Sequence, residues 1–338
     1  MIHYADVIVD LQAGDTGKGK VAHALTKKPK EYTHVIRYNG GGNAGHTVYH
    51  NGKKFVTHFI PVGVLYGIKS IIGPGCVVNI DKLTKEMKEL HENGVQVMGN
   101  LFIDKRAHII TDAHIEEDSK DTEIGTTKTG NGPCYRDKYY RQGLRAENVK
   151  VIKDMIIDIY DELHDATKGN YSKILFEGAQ GFELDVDWGD YPYVTSSHCT
   201  VGSAVLNGVP PQKIRNIYGI AKAYRTYVGS KKFEGSSPYF ETIREVGQEY
   251  GATTGRKRQV DWLNINDLIK ACNINGVTEL IINKLDVLVQ VNKLSYYLNN
   301  DLHTVSDVED FKNAIETEIF EKCPSVREVI FSVTPFDI

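Results

Sequence analysis

The chain has 338 residues, 40 of them Lys or Arg and 44 Asp or Glu, for a formal net charge of -4. That balance leaves no global field to hold a polyanion, which excludes nonspecific nucleic-acid binding as its main business. A hydrophobic share of 41% with 31 glycines fits a globular enzyme rich in tight turns and excludes a fibrous or disordered chain.

From the start, Met1-Ile2-His3-Tyr4-Ala5-Asp6 lacks the basic and apolar stretches of an export signal, and no apolar run approaches the roughly 18 residues of a membrane span. A cytoplasmic protein without membrane contact is expected. Residues 5–11 form a β-branched run that predicts a buried strand feeding a glycine-rich loop and a helix from Lys18. Further strands are predicted at 33–38, 70–73, 173–177, 214–223, 279–283 and 326–332. Between them, Leu83, Met87 and Leu90, and then Ile152, Met155, Ile156, Ile159 and Leu163, recur at helical spacing. This alternation predicts an α/β fold: a large parallel-rich central sheet with helices on both faces, formed by one body spanning 1–338. Cys76, Cys134, Cys199, Cys272 and Cys323 show no C-x-x-C pairing and read as small core residues in a reducing compartment. Glycines crowd the connections at 40–45, 125–132, 178–189 and 251–255, and in such a sheet ligands bind at loops beyond the strand ends.

The first loop, Gly14-Asp15-Thr16-Gly17-Lys18-Gly19-Lys20, satisfies G-x-x-x-x-G-K, in which backbone N–H groups and a helix N-terminus receive phosphate. Val21 stands where a Ser or Thr would ligate magnesium, and Asp15 is unusual, because a carboxylate among phosphate-binding amides is costly unless it holds a metal or moves a proton. An ordinary strand-to-helix turn is the plain alternative. Asn283-Lys284-Leu285-Asp286 matches N-K-x-D, a guanine-reading pattern, and the two motifs together suggest a nucleoside triphosphate site. The loops 37–47 and 125–133 place side-chain donors among glycines, and His46, ending the first, has the ordinary pKa range for acid chemistry. The run Gly251-Ala252-Thr253-Thr254-Gly255-Arg256-Lys257-Arg258 looks like an anion clamp with guanidinium forks for a carboxylate, where a bare charge run is otherwise solvated surface.

These motifs, in this order over residues 5–290, resemble the adenylosuccinate synthetase family, which joins aspartate to a purine nucleotide. Its G-D-E-G-K-G-K loop is matched at 14–20, N-A-G-H-T at 43–47, I-G-T-T at 124–127, F-E-G-A-Q-G at 176–181, Y-P-Y-V-T-S-S at 191–197, G-A-T-T-G-R at 251–256 and K-L-D at 284–286. The resemblance implies that Asp15 takes the proton beside the 6-oxo group and, with the Gly45 carbonyl, ligates Mg2+, while His46 acts as acid during phosphoryl transfer. It implies triphosphate contacts from Gly14, Thr16, Gly17, Lys18, Gly19, Lys20, Gly45, Thr47, Lys284, Asp286 and Ser332. For the purine nucleoside monophosphate it implies Asn43, Thr126, Thr127, Gln180, Thr195 and Val228, with Arg141 lent across a homodimer. For L-aspartate it implies Thr253, Thr254, Arg256 and Arg258.

Several positions depart from the family pattern. Ala13 replaces Trp, Thr16 replaces Glu, Gly42 replaces His, 223–230 alters A-Y-S-T-R-V-G-A, and Ser332-Val333-Thr334-Pro335-Phe336 replaces S-T-G-P-D. Shrinking Glu to Thr beside the base removes a charge and makes room for an exocyclic amine. The pattern is similar to the viral branch of the family, which adds aspartate to deoxyguanylate toward 2-aminoadenine nucleotides, in a host cytoplasm. Deoxyguanylate with ATP or dATP is the expectation drawn from it; inosinate with GTP is the alternative. A GTP-dependent switch protein is the alternative from another class, and it leaves 191–197 and 251–258 without a role.

Overall fold

A computed structural model describes residues 1–165, 167, 171–251 and 255–334. Nine strands form one sheet in the spatial order Glu328–Phe331, Glu279–Asn283, Ile214–Lys222, Ile2–Asp10, Ser172–Glu177, His34–Arg37, Lys69–Ile72, Leu101–Asp104 and Ile156–Ile157. Every neighbouring pair is parallel. The strand Ile2–Asp10 lies at the centre, between the strands that follow it at Ser172 and Ile214. Its interior, from Ala5 to Asp10, is fully buried because both sheet faces are covered. One apolar cluster gathers around Val7, Val9, Phe176, Leu263 and Leu268, and another around Ile8, Val21, Val35, Leu83 and Ile103. Successive residues of the first strand thus serve opposite layers.

The expected strands are all present, each within three residues of its predicted bounds. The helical reading of 152–163 is not. Lys150–Met155 is 3-10, Ile156–Ile157 pairs with Ile103–Asp104 as the outermost strand, and only Ile159–His164 is α-helical. The Asp158 carboxylate caps that short helix by accepting from the Tyr160 N–H. A four-stranded sheet, Tyr224–Tyr227, Gln259–Asn264, Leu294–Leu298 and Asp301–Val305, extends the second half of the chain, and His46–His50 forms a hairpin with Lys53–Thr57. All five cysteines are buried and free. Among the described residues no helix is long and apolar enough to cross a membrane.

The parallel sheet places its strand ends along one edge, and the five consecutive strands from Glu279–Asn283 across to His34–Arg37 each carry a polar residue in the last position: Asn283, Lys222, Asp10, Glu177 and Arg37. None of the five is more than 4% exposed. Buried charge at that density requires partners, and the partners assemble the site.

Candidate active site

Asp10 organises the phosphate loop. Its Oδ2 accepts from Thr16 Oγ1 at 2.6 Å and from Lys18 Nζ at 2.7 Å, and its Oδ1 accepts from the Gln12 N–H at 3.0 Å. Lys18 Nζ also donates to the Gln180 carbonyl at 2.7 Å. Gly17, at φ 103, leads directly into the helix Lys18–Thr26. A Cβ there would stand 2.8 Å from Asn283 Nδ2, so glycine is required by both torsion and space. Gly19 is needed for a different reason. A Cβ would lie 3.0 Å from His46 Cβ, and its absence lets the helix approach that histidine. Thr16 is buried and turned onto Asp10, so the hydroxyl proton is already committed and only its lone pairs are left to accept.

Asn283 ties the second expected motif to this loop. Its Nδ2 donates to the Thr16 carbonyl at 2.8 Å, and its Oδ1 accepts from Lys20 Nζ at 3.1 Å. Lys20 also reaches Ser332 Oγ and the Thr334 carbonyl, bringing the last described strand to the same place. Lys284 turns away, donating to the Gly247 carbonyl at 2.8 Å, and burial lowers its pKa. Asp286 is half-buried in the first turn of Leu285–Val291.

His46 lies in a closed pocket with Arg37 and Glu177. The Glu177 carboxylate at Nδ1 can only accept, so Nδ1 carries the proton, and Nε2 is left to accept from the Arg37 guanidinium at 3.2 Å. Burial, reinforced by Arg37, lowers the His46 pKa to about 4. This corrects the expectation from its ordinary range: at neutral pH the ring is uncharged. Burial alone would raise Glu177, but Arg37 and His46 outweigh it and hold the carboxyl down at about 2. Its other oxygen accepts the Val62 N–H at 2.9 Å. The Gly42 departure has a local cause, since a Cβ there would meet the Phe59 ring at 2.6 Å. The backbone of Phe59 is fixed by Glu86, whose carboxylate accepts the N–H groups of His58, Phe59 and Ile60 at 3.0, 3.1 and 3.0 Å.

Asp15 contrasts with this enclosure. It stands at φ 58 with its side chain 42% exposed, and pairs with Arg258. Arg258 also pairs with the buried Glu249, and burial lowers its pKa to about 10. The expected clamp is therefore already filled by carboxylates of the chain itself. Thr253 and Thr254 lie outside the described residues. Arg256 reaches the Gly125 carbonyl at 3.3 Å, joining this loop to Thr126, whose N–H donates to Asp121 at 3.3 Å, and Thr127 Oγ1 is 3.0 Å from Thr129 Oγ1. Gln180, at φ 54, donates to Asn43 Oδ1 at 2.9 Å. Thr195 and Val228 are half-buried, Thr47 is exposed, and Arg141 is exposed at the end of the helix Asn131–Tyr140. The Gly45 carbonyl and the Asp15 carboxylate are hard oxygen donors of the kind Mg2+ takes, and Asp15 already faces a cation, so the donor set fits.

Sequence reading missed Asp10, Glu177, Lys222 and Glu249, and gave Arg37 no role. A signal existed for most of them: a charged residue ending a buried apolar run just before a loop, as in Val7-Ile8-Val9-Asp10 or Ile174-Leu175-Phe176-Glu177.

A phosphate loop, a cation-bearing loop and a paired histidine gathered at the strand ends define a nucleotide-dependent enzyme. A family model described as adenylosuccinate synthetase matches residues 7–151 and 146–336. The chain belongs to the adenylosuccinate synthetase family and is a C–N bond-forming ligase of that type. It is 40% identical to adenylosuccinate synthetase of Thermodesulfovibrio yellowstonii, over 95% of this chain and 86% of that one. It is 37% identical to that of Caldanaerobacter subterraneus, over 98% and 90%. The structure of fully ligated adenylosuccinate synthetase from Plasmodium falciparum superposes with a TM-score of 0.82 at 28% identity, covering 98% of each chain. Cyanophage S-2L succinoaminodeoxyadenylate synthetase, bound to dGMP and dATP as an energy donor, shares the fold at a TM-score of 0.76 and 20% identity, covering 99% of this chain and 94% of that one.

Proposed function

We propose that the chain joins L-aspartate to the 6-position of a purine nucleoside monophosphate through a 6-phosphoryl intermediate formed from a nucleoside triphosphate. The carrying observation is the Asp15–Arg258 pair, which brings the loop expected to bind aspartate onto the loop expected to bind phosphate. Asp15 takes the ring proton beside the 6-oxo group, and Lys18, Lys20 and the helix N-terminus hold the migrating phosphoryl group. That group brings negative charge to His46, competes for Arg37, and makes Nε2 basic enough to carry a proton. The amine of aspartate then displaces phosphate while Arg258 and Arg256 hold its carboxylates. Magnesium would be held by Asp15 and Gly45, and when bound it neutralises charge on the phosphoryl oxygens. The test is phosphate release from purified chain, which is expected to require aspartate, a monophosphate and a triphosphate together; triphosphate hydrolysis indifferent to aspartate would instead support a switch protein.

Between substrates, the names of the relatives support inosinate with GTP. This favours the alternative over the deoxyguanylate expectation drawn from the sequence. Deoxyguanylate with ATP or dATP is kept as a second reading on one observation: Thr16 stands where the family has Glu, and its lone pairs are free to accept from an amine. Initial rates with inosinate and deoxyguanylate, each against ATP, dATP and GTP, separate the two. The homodimer rests on Arg141, exposed beside Tyr139 and Tyr140, which are 66% and 67% exposed. A molar mass of one chain by light scattering would remove it.

A further inference from the structure

Arg258 spans two carboxylates of unlike standing. Nη2 meets Asp15, on a left-handed loop and partly solvated, whereas Nη1 meets Glu249, which is 1% exposed. Glu249 is held from two further directions. Lys222 Nζ lies 3.2 and 3.1 Å from its two oxygens, and Tyr224 Oη donates to Oε1 at 2.6 Å. Lys222 is itself braced by Thr226 Oγ1 at 2.6 Å. The backbone repeats the attachment: the Arg258 N–H donates to the Glu249 carbonyl at 3.1 Å, and Arg244 Nε donates to the Arg258 carbonyl at 2.7 Å. Inside that base, the Gly251 N–H donates to the Arg256 carbonyl at 2.8 Å, so Glu249 and Arg258 close the neck of the whole loop.

We infer that Glu249 is a positioning residue for the carboxylate of the incoming amino acid: it fixes one edge of Arg258 so that the other edge can pass from Asp15 to a substrate carboxylate without the guanidinium moving. Asp15 is then the exchangeable partner and Glu249 the permanent one. The exchange also frees Asp15 to act as base and metal ligand at the moment the amino acid arrives. The asymmetry follows from solvation. Water and other cations can replace Arg258 at exposed Asp15, but no solvent reaches Glu249, whose loss of Arg258 would leave buried charge imperfectly compensated.

This inference rests on the function proposed above, and the experiment separates the two. Wild-type chain is first assayed for aspartate-dependent phosphate release; if aspartate is not required, the proposed function fails whatever Glu249 does. Given that requirement, Glu249→Gln, which keeps the shape but weakens the grip on Arg258, is expected to raise KM for aspartate by about tenfold, with KM for both nucleotides within roughly twofold and kcat within about threefold. Tyr224→Phe removes a single hydrogen bond from Glu249 and serves if Glu249→Gln does not fold; its expected rise in aspartate KM is about two- to threefold. An unchanged aspartate KM in a folded Glu249→Gln, or a parallel rise in all three KM values, overturns the assignment. If only Tyr224→Phe is soluble, an unchanged aspartate KM there overturns it.

Discussion

Asp15 lies in the phosphate loop and His46 packs against Gly19 at its end, yet their surroundings differ in kind. His46 is enclosed by Arg37 and Glu177, two residues that end adjacent parallel strands, so its ring orientation and proton position are fixed by the sheet itself. Asp15 stands on a left-handed loop residue with an exposed carboxylate, and its partner Arg258 comes from a loop closed at its neck by Glu249. One group is organised before any ligand arrives; the other is organised by exchanging partners. Electrostatic catalysis gains most from groups that need no reorganisation, whereas a residue serving proton, metal and cation in turn has to be released easily. The difference predicts unequal responses to substitution.

The largest effect is expected at the exchangeable group. Asp15→Asn removes both a base and an anionic ligand, and kcat should fall by about three orders of magnitude while melting temperature changes little, because the side chain is partly solvated. A residual rate within tenfold of wild type would remove Asp15 from the chemistry. Next comes the enclosed pair. Glu177→Gln leaves a neutral amide at His46 Nδ1, loses the preference for the working tautomer, and leaves Arg37 with less compensation. A fall in kcat of about a hundredfold, together with a lower melting temperature, is expected. Loss of activity with no loss of stability would contradict the reading that this pocket is built by the fold. Asn283→Ala cuts the link between Lys20 and the Thr16 carbonyl, and should raise KM for the triphosphate by about tenfold while leaving aspartate KM unchanged; equal changes in both would mean that the two loops act as one unit.

The same contrast explains what is legible in the sequence alone. The parallel sheet is legible because apolar β-branched runs alternate with helical periodicity. The phosphate loop is legible because glycine at 14, 17 and 19 is demanded by torsion and close approach. The stretch 152–163 misleads because Ile152, Met155, Ile156, Ile159 and Leu163 recur at helical spacing while Ile156 and Ile157 also have edge-strand composition, and the decision rests with Ile103–Asp104, some fifty residues away. The Asp15–Arg258 pair joins residues 243 positions apart by number and has no local signature. Glu177 is legible in principle, as a carboxylate closing a buried strand, but its role as the histidine's partner depends on strand order: Ser172–Glu177 lies beside His34–Arg37 despite following it by more than a hundred residues.

The smallest expected effect distinguishes an enclosed histidine from a merely nearby one. Burial and Arg37 hold the folded-state pKa of His46 at about 4, below its ordinary value of 6.5. The native state therefore binds fewer protons at this site than the unfolded chain over that interval, and stability contributed by the neutral ring declines as pH falls from about 6.5 toward about 4. The slope attributable to one such group does not exceed about 1.4 kcal/mol per pH unit. His108, lowered to about 4 by burial, acts in the same sense, while Glu86 and Glu183, each raised to about 7 by burial, act in the opposite one. Total stability against pH thus mixes several groups, and the informative quantity is a difference. Denaturant unfolding of wild type and His46→Gln at pH 7 and pH 5 should show the wild type losing more stability on acidification than the variant. Equal losses would mean that burial and Arg37 do not hold the ring neutral, and the distinction between a prearranged His46 and an exchangeable Asp15 would fail on its better-defined side.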